Sequence, residues 1–322
     1  MTTFHQILLQ PNLVYEIISF LTDPYPFCKL NRRIFHISQS HELILKLLKP
    51  HKVLIKTNGF VKKFRTYDPI TEASKIGELD IVNTLLDRGH KPNLTQNTAI
   101  RFASRYGHLP VVVRLLQEKS VNPADINSEA LRFASEYGHL PVVSLLLQDK
   151  RVNPSACKNY AIRWASFNGH VPVVKLLLQD RRVNPGDEQN TAIRWARDHT
   201  QVVECLLQDD RVNPADNRNE LIWLACVKGF HEVVKLLLQD KRVNPLQHDN
   251  ELIPMVTQHG HYEVLRLLLE DGRVNPTVKQ NKAIHLAKER GFIQMVKILL
   301  EDKRVQQSLS EAEFLLFTEF IS

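Results

Sequence analysis

The decapeptide LLLQDKRVNP stands at 145–154 and again, letter for letter, at 236–245. The Asn-Pro pair explains the interval between the copies. It puts proline at 123, 154, 185, 214, 245 and 276, in steps of 31, 31, 29, 31 and 31. The same step leads back from Pro123 to Pro92 and forward from Arg273-Val274 to Arg304-Val305. The two decapeptides thus lie three steps apart. The copied object is a unit of about 31 residues, and a fixed period of this size marks a stacked repeat array. It is present eight times, with a degenerate first copy near 69–92.

One unit, NYAIRWASFNGHVPVVKLLLQDRRVNP (159–185), reads as two helices. The first is expected to begin after Asn159, whose equivalents are Asn97, Ser128, Asn190, Asn219, Asn250 and Asn281. Asn and Ser suit an N-cap because the side-chain oxygen accepts an orphan backbone N–H of the first turn. The helix ends at Gly169, matched by Gly107, Gly138, Gly229, Gly260 and Gly291, since glycine takes a left-handed backbone cheaply. Pro172, matched by Pro110 and Pro141, falls in the first turn of the second helix, where its missing N–H is no loss. Val173, Val174, Leu176, Leu177 and Leu178 follow, and Gln-Asp-Arg-Arg sets basic residues at the negative end of the helix dipole. Val-Asn-Pro then leads a short extended connection. Unit five is two residues short in its helix–helix turn, RDHTQVV (197–203), and lacks the glycine, so an irregularity is expected there.

The run G-H-x-x-V-V-x-L-L-L followed by V-N, as in Gly138-His139 through Leu147 and Val152-Asn153, resembles the ankyrin repeat. The resemblance covers roughly residues 69–305. It implies an all-α solenoid of about eight helix-turn-helix repeats that binds other proteins. Two departures stand out. Asn-x-Ala-Ile-Arg replaces the family's T-P-L-H helix start, with histidine surviving only as His285. The period is about 31 residues against roughly 33 residues in the family, so the hairpin fingers should be short.

Physics leads to the same architecture. A buried aliphatic side chain contributes about 1.5–3 kcal/mol, and a lone helical pair cannot bury Ile162, Val173, Leu176 and Leu177. Stacking is therefore obligatory, and stability becomes a sum over neighbouring interfaces. With about 8–10 Å between packed helices, eight units give a curved rod of roughly 70–80 Å with one long concave face.

The ends differ from the array. Residues 306–322 read as a capping helix, with Ser310 and Glu313 forming a capping box and Phe314, Leu315, Phe317 and Phe320 covering the last repeat. Residues 1–50 read as a helical segment, and 51–68 as a connector in which HKVLIK is the best strand candidate. Within 9–38, Pro11-x-Leu13, Glu16-Ile17-Ile18-x-Phe20-Leu21 and Leu30-Asn31-Arg32-Arg33 resemble the start of an F-box. In that family the segment docks on a Skp-type adaptor of a cullin-RING ubiquitin ligase, which points to Pro11, Leu13, Ile17, Phe20 and Leu21. The stretch before Leu30 is several residues shorter than the family's, and a plain cap for the first repeat is the alternative.

Composition sets limits. The chain is 43% apolar and 24% charged, as in ordinary globular proteins. It has no run of about 18 apolar residues, so no membrane span is expected. The N-terminal stretch up to Leu21 lacks a basic start and carries Gln10, Pro11, Asn12 and Glu16 within the apolar run, unlike a secretory signal. The four cysteines lack metal-ligand or redox spacing and read as thiols of a reducing compartment. An intracellular protein, cytoplasmic or nuclear and monomeric by itself, is expected.

No catalytic motif, phosphate loop, cofactor site or metal motif is present. His259 and His261 are close, but His261 is the Gly-His histidine and should brace its turn. The recurring Asp149, Asp180, Asp209, Asp240, Asp271 and Asp302 should meet neighbouring basic side chains. Two rows carry the binding reading. Phe102, Phe133, Trp164, Trp195, Leu224, Met255 and Leu286 recur once per first helix. At about 100° per residue, Trp164 points away from Ile162, Ala165 and Ser166, toward the concave side, with Tyr106 and Tyr137 one turn beyond Phe102 and Phe133. Arg101, Arg132, Arg163 and Arg194 immediately precede the rings. Arginine beside an aromatic ring can stack on it or fork onto a carboxylate. The expected partner is a protein with an acidic or apolar segment. Phosphate binding wants a denser basic patch, so nucleic acid is not expected.

Overall fold

The computed structural model describes residues 68–322, apart from 197 and 248–250, together with residues 56–57 and 60–61. The chain divides into two compact units, Met1–Val121 and Asn122–Ser322. In the first, Lys56–Thr57 (β1) pairs antiparallel with Phe60–Val61 (β2), Lys56 opposite Val61 and Thr57 opposite Phe60. The HKVLIK strand candidate enters this hairpin at Lys56; residues 51–55 lie outside the described residues, as do Pro11, Leu13, Ile17, Phe20 and Leu21. Two helical pairs follow, α1 (Pro69–Ile76) with α2 (Leu79–Asp87), and α3 (Leu94–Arg105) with α4 (Leu109–Leu116).

The second unit holds six more pairs. They are α5 (Asp125–Glu136) and α6 (Leu140–Gln148), α7 (Ala156–Phe167) and α8 (Val171–Gln179), α9 (Asp187–Trp195) and α10 (Thr200–Leu207), α11 (Asp216–Lys228) and α12 (His231–Gln239), α13 (Leu252–His259) and α14 (Tyr262–Asp271), and α15 (Val278–Glu289) and α16 (Ile293–Glu301). Two terminal helices, α17 (Lys303–Ser308) and α18 (Glu311–Ile321), complete it. Within each unit, first helices pack on the first helices of adjacent repeats and second on second. The core is one short pattern repeated. In repeat four, Ala161, Ile162, Ala165, Val173, Val174, Leu177 and Val183 are all buried. Of the three consecutive leucines only Leu177 is fully buried. Leu176 and Leu178 are half-buried, because each is turned about 100° from it.

The expected N-caps serve another purpose. Asn97, Ser128, Asn159, Asn190, Asn219 and Asn281 each end a run of three residues with φ between +48° and +59°. Asn250 lies outside the described residues. A left-handed turn costs non-glycine residues roughly 1–2 kcal/mol each, so it persists only where side chains hold it. In the second unit they hold it by reaching the Val-Asn-Pro connection of their own repeat and, through the asparagine amide, the first helix of the next. Asn159 Oδ1 accepts the Asn184 backbone N–H at 2.8 Å, and Asn159 Nδ2 donates to Asp187 at 2.9 Å. Asn190 does the same with Asn213 at 2.7 Å and Asp216 at 2.8 Å. Ser128 Oγ accepts from Asn153 N–H at 2.9 Å. The asparagine of Val-Asn-Pro closes a side-chain turn on the backbone two residues on, as from Ser155 to Asn153 Oδ1 at 3.0 Å and from Gly186 to Asn184 Oδ1 at 3.1 Å.

From repeat four onward the Asp-x-Arg element ties a repeat to the one before. Asp180 accepts the Arg182 backbone N–H at 2.9 Å and pairs with its guanidinium at 2.7 Å. The fork, so oriented, donates backward to Leu147 O at 3.1 Å and Val152 O at 3.0 Å. Arg211, Arg242, Arg273 and Arg304 repeat the arrangement with Leu178, Leu207, Leu238 and Leu269. Each guanidinium thus serves a carbonyl near the end of the preceding second helix, where carbonyls lack intrahelical partners. The Arg182 hydrogen bond holds the Asp180 carboxyl below the usual range, and Asp149, Asp209 and Asp240 behave alike. In Asp302 burial pushes upward and the fork of Arg304 overrides it.

The Gly-His pair is the third tie. His170 Nε2 bonds Glu136 O of the preceding repeat at 2.9 Å, and its ring lies against Gly138. His261 braces its turn in the same way, on Val227 O at 2.9 Å. The shortened fifth repeat is irregular as expected: α9 stops at Trp195, and its C-cap Ala196 has φ −75°. His199 still reaches Phe167 O at 3.0 Å. At the C-terminus, Ser310 and Glu313 form the capping box. The cover differs from expectation, since of the four apolar residues only Phe317 is buried, against His285 at 5.3 Å between ring centroids. Phe320 is half-buried, Phe314 is 37% exposed, and Leu315, turned about 200° from Phe317, is 60% exposed.

Two stability measurements test these ties. A Cβ on Gly138 would sit 2.6 Å from His170 Nδ1, at a φ of +76°. Gly138→Ala should cost about 2–3 kcal/mol, combining backbone strain with loss of the histidine bond. At Gly291, with φ +74° and nothing within 4 Å, only the strain applies, about 1–2 kcal/mol. Equal shifts in urea midpoint for the two variants would contradict the lock. The depressed Asp180 acts in acid. Its contribution is complete above the unfolded value of about 3.9 and fades as pH falls through the lowered folded value. Asp180→Asn should therefore lower the urea midpoint at pH 6 more than at pH 3, and a pH-independent difference would contradict the assignment.

Candidate binding face

Both predicted rows lie on the first helices of the pairs. In the first unit, Arg101 and Phe102 are half-buried on α3. Arg101 Nη1 donates to Gln96 O and Thr98 Oγ1, both at 3.4 Å. Phe102 lies 6.4 Å from Tyr106 between ring centroids, and Tyr106 is 45% exposed.

The second unit holds the denser arrangement. Trp164 is the hub of a four-ring cluster. Its centroid lies 5.5 Å from Tyr160, 5.4 Å from Phe167 and 5.5 Å from Trp195, and Phe167 lies 5.9 Å from Trp195. The Phe167 and Trp195 contacts are edge-to-face, at 71° to 73°, the geometry favoured by ring quadrupoles. Trp164 and Trp195 are half-buried, while Phe167 and Tyr137 are each 42% exposed. The rings are partly core and partly open surface. Phe133, Leu224, Met255 and Leu286 are half-buried as well.

The arginines are less alike than their spacing suggests. Arg132 donates to Asn127 O at 3.1 Å and Ile126 O at 3.0 Å, lies 4.9 Å from the Tyr160 centroid, and meets Glu129 at 3.8 Å. Arg194 meets Glu220 at 2.6 Å and Gln189 O at 3.5 Å. Both thus return to the carbonyls of their own left-handed turn, which those carbonyls require. Arg163 lies 5.4 Å from the Trp195 centroid and meets no carboxylate among the described residues, and its Nε, like that of Arg194, is buried without a hydrogen-bond partner. Glu136 lies one turn beyond Arg132 on α5. It accepts from the Tyr160 hydroxyl at 2.7 Å. Burial first, and then this bond, push the Tyr160 phenol above its ordinary range.

Tyr160 and Phe167 are absent from the sequence-predicted rows. Phe167 lies one residue before the position of Tyr106 and Tyr137, so a search by equivalent positions passes over it. Tyr160 lies one turn before Trp164, a spacing of four that could have found it. His259 and His261 stack at 6.0 Å, but each bonds a backbone carbonyl, Met255 O and Val227 O. Among the described residues no group of three or more His, Cys, Asp and Glu could hold a metal ion, and no helix is long and apolar enough to cross a membrane.

Among the described residues, eighteen helices arranged mostly as stacked pairs, with aromatic and basic side chains recurring on the first helices, define a helical-repeat interaction module. The family model for ankyrin repeats, built of three copies, matches residues 70–157, 131–218, 160–249 and 221–309, and the chain belongs to the ankyrin-repeat family. No curated protein matches the chain.

Proposed function

We propose that the protein acts without catalysis, by holding a partner protein against the first-helix face of the repeats, through Arg101, Phe102 and Tyr106 in the first unit and Arg132, Phe133, Tyr137, Arg163, Trp164, Arg194 and Trp195 in the second. The supporting observation is the aromatic cluster around Trp164. Large rings left partly open beside arginine are the composition of binding hot spots, and a core purpose alone leaves the exposure of Phe167 and Tyr137 without a reason. Tyr137→Ala with Phe167→Ala removes exposed rings and two edge-to-face contacts of about 0.5–1.5 kcal/mol each, so it should lower the melting temperature by several degrees and leave the protein folded. Affinity capture with this variant should lose partners that the parent retains. Lys175→Ala with Lys235→Ala, on exposed positions of the second helices, should keep them. The opposite pattern would refute the reading.

A second reading concerns the N-terminal motif. Pro11, Leu13, Ile17, Phe20 and Leu21 resemble an adaptor-docking segment, which would make the protein a substrate receptor of a cullin-RING ligase with the array on the substrate. Under this reading a Skp-type adaptor co-purifies with the full chain and is lost on deleting residues 1–40. An adaptor absent from the full-chain preparation counts against it.

A further inference from the structure

The cluster around Trp164 carries one charge that its surroundings do not answer. Among the described residues, Arg132 and Arg194 each meet a carboxylate, Glu129 and Glu220. Lys158, whose charge Arg163 feels, is taken by Glu188 at 2.7 Å. Arg163 has a ring and no anion. Its guanidinium is half-buried, so it has lost part of its hydration, and its Nε has no replacement partner. A partly desolvated cation of this kind gains from an incoming carboxylate more than an exposed one does. The ring beneath it fixes the plane of the fork. Beside it, Phe167 is held edge-on by both tryptophans and leaves 42% of its surface open.

We infer, building on the partner-binding reading above, that Arg163, Trp164, Phe167 and Trp195 form a recognition pocket for an acidic–apolar peptide segment. One Asp or Glu carboxylate of the partner accepts from Arg163 Nη1 and Nη2. An apolar or aromatic side chain next to that residue lies on Phe167. The neighbouring arginines decide against a polyanion. A phosphate backbone reads a track of free cations, and here the cations on either side of Arg163 are already paired within the protein. A single carboxylate matches a single unanswered guanidinium.

The test selects a random heptapeptide phage library on the full chain. Enriched peptides should carry Asp or Glu beside Phe, Leu or Trp. The tightest is synthesised together with its Glu→Gln or Asp→Asn amide, and both are titrated against the parent, Arg163→Met, Arg163→Lys and Phe167→Ala. Arg163→Met removes no internal hydrogen bond and keeps an apolar stem on Trp195. It should weaken the acidic peptide at least about tenfold, the scale of a hydrogen bond to a charged group, with Arg163→Lys in between. The amide peptide should bind the parent as weakly as the acidic peptide binds Arg163→Met, with no further loss when both changes are combined. Peptides that depend on Phe167 yet lack an acid, or lose nothing in Arg163→Met, overturn the inference and leave the binding face standing. Enriched peptides indifferent to Phe167→Ala alone also overturn the inference, those indifferent to both Phe167→Ala and Arg163→Met sink the face itself, and a library that yields no enrichment sinks both. Binding of a short oligothymidylate that is lost in Arg163→Met also overturns the inference, in favour of stacked bases.

Discussion

Each Asp-x-Arg pair from Asp180–Arg182 to Asp302–Arg304 turns a charge into a measure of length. The aspartate holds the arginine backbone N–H and the Nε–Nη2 edge of its guanidinium, as Asp180 does for Arg182. The fork then has one place to reach, the carbonyls of the repeat before it. Planarity makes this work. Lysine carries the same charge on a flexible stem and cannot address the carboxylate and two carbonyls from one fixed plane. Apolar burial supplies most of the favourable free energy, but it is non-directional and would tolerate small slips between helices. The fork does not tolerate them.

Fixed registration has a consequence for the binding face. The distances from Trp164 and Phe167 to Trp195 join side chains of two repeats, and no local rule within one helix sets them. They follow from how far one repeat is displaced from the next. The left-handed turns contribute a second constraint. Their carbonyls draw Arg132 and Arg194 back toward the backbone, so of the three row arginines in the second unit two become structural and one keeps its charge unanswered.

Much of this was legible in the sequence. The fixed period of the Asn-Pro pairs pointed to the stack, and the Gly-His pair and the Leu run placed the two helices of each repeat. What escaped were interactions between repeats. Asn159 looks like a cap because asparagine before a helix is usually one, and the sequence does not show that the Asn184 N–H claims its oxygen while its amide donates to Asp187 of the next repeat. The destination of Arg182 is hidden for the same reason, since Leu147 is 35 residues away. Phe167 escaped through a one-residue offset from the tyrosines of earlier repeats. On α18, Leu315 departs from expectation because apolar composition alone does not tell which side of a terminal helix has a neighbour.

The ties also have a direction. Arg182 looks back one repeat and Asn159 looks forward one. A copied stretch that is one full period long therefore carries half of each junction, and the duplicates at either side supply the other halves. Such a stretch can be spliced in or out wherever the phase is kept, with no compensating change elsewhere. The fifth repeat marks the tolerance: its two missing residues fall between Trp195 and His199, and the histidine junction survives. Growth and contraction by whole periods would thus yield foldable chains of different length, and the identical LLLQDKRVNP segments, three periods apart, are in phase with such a change.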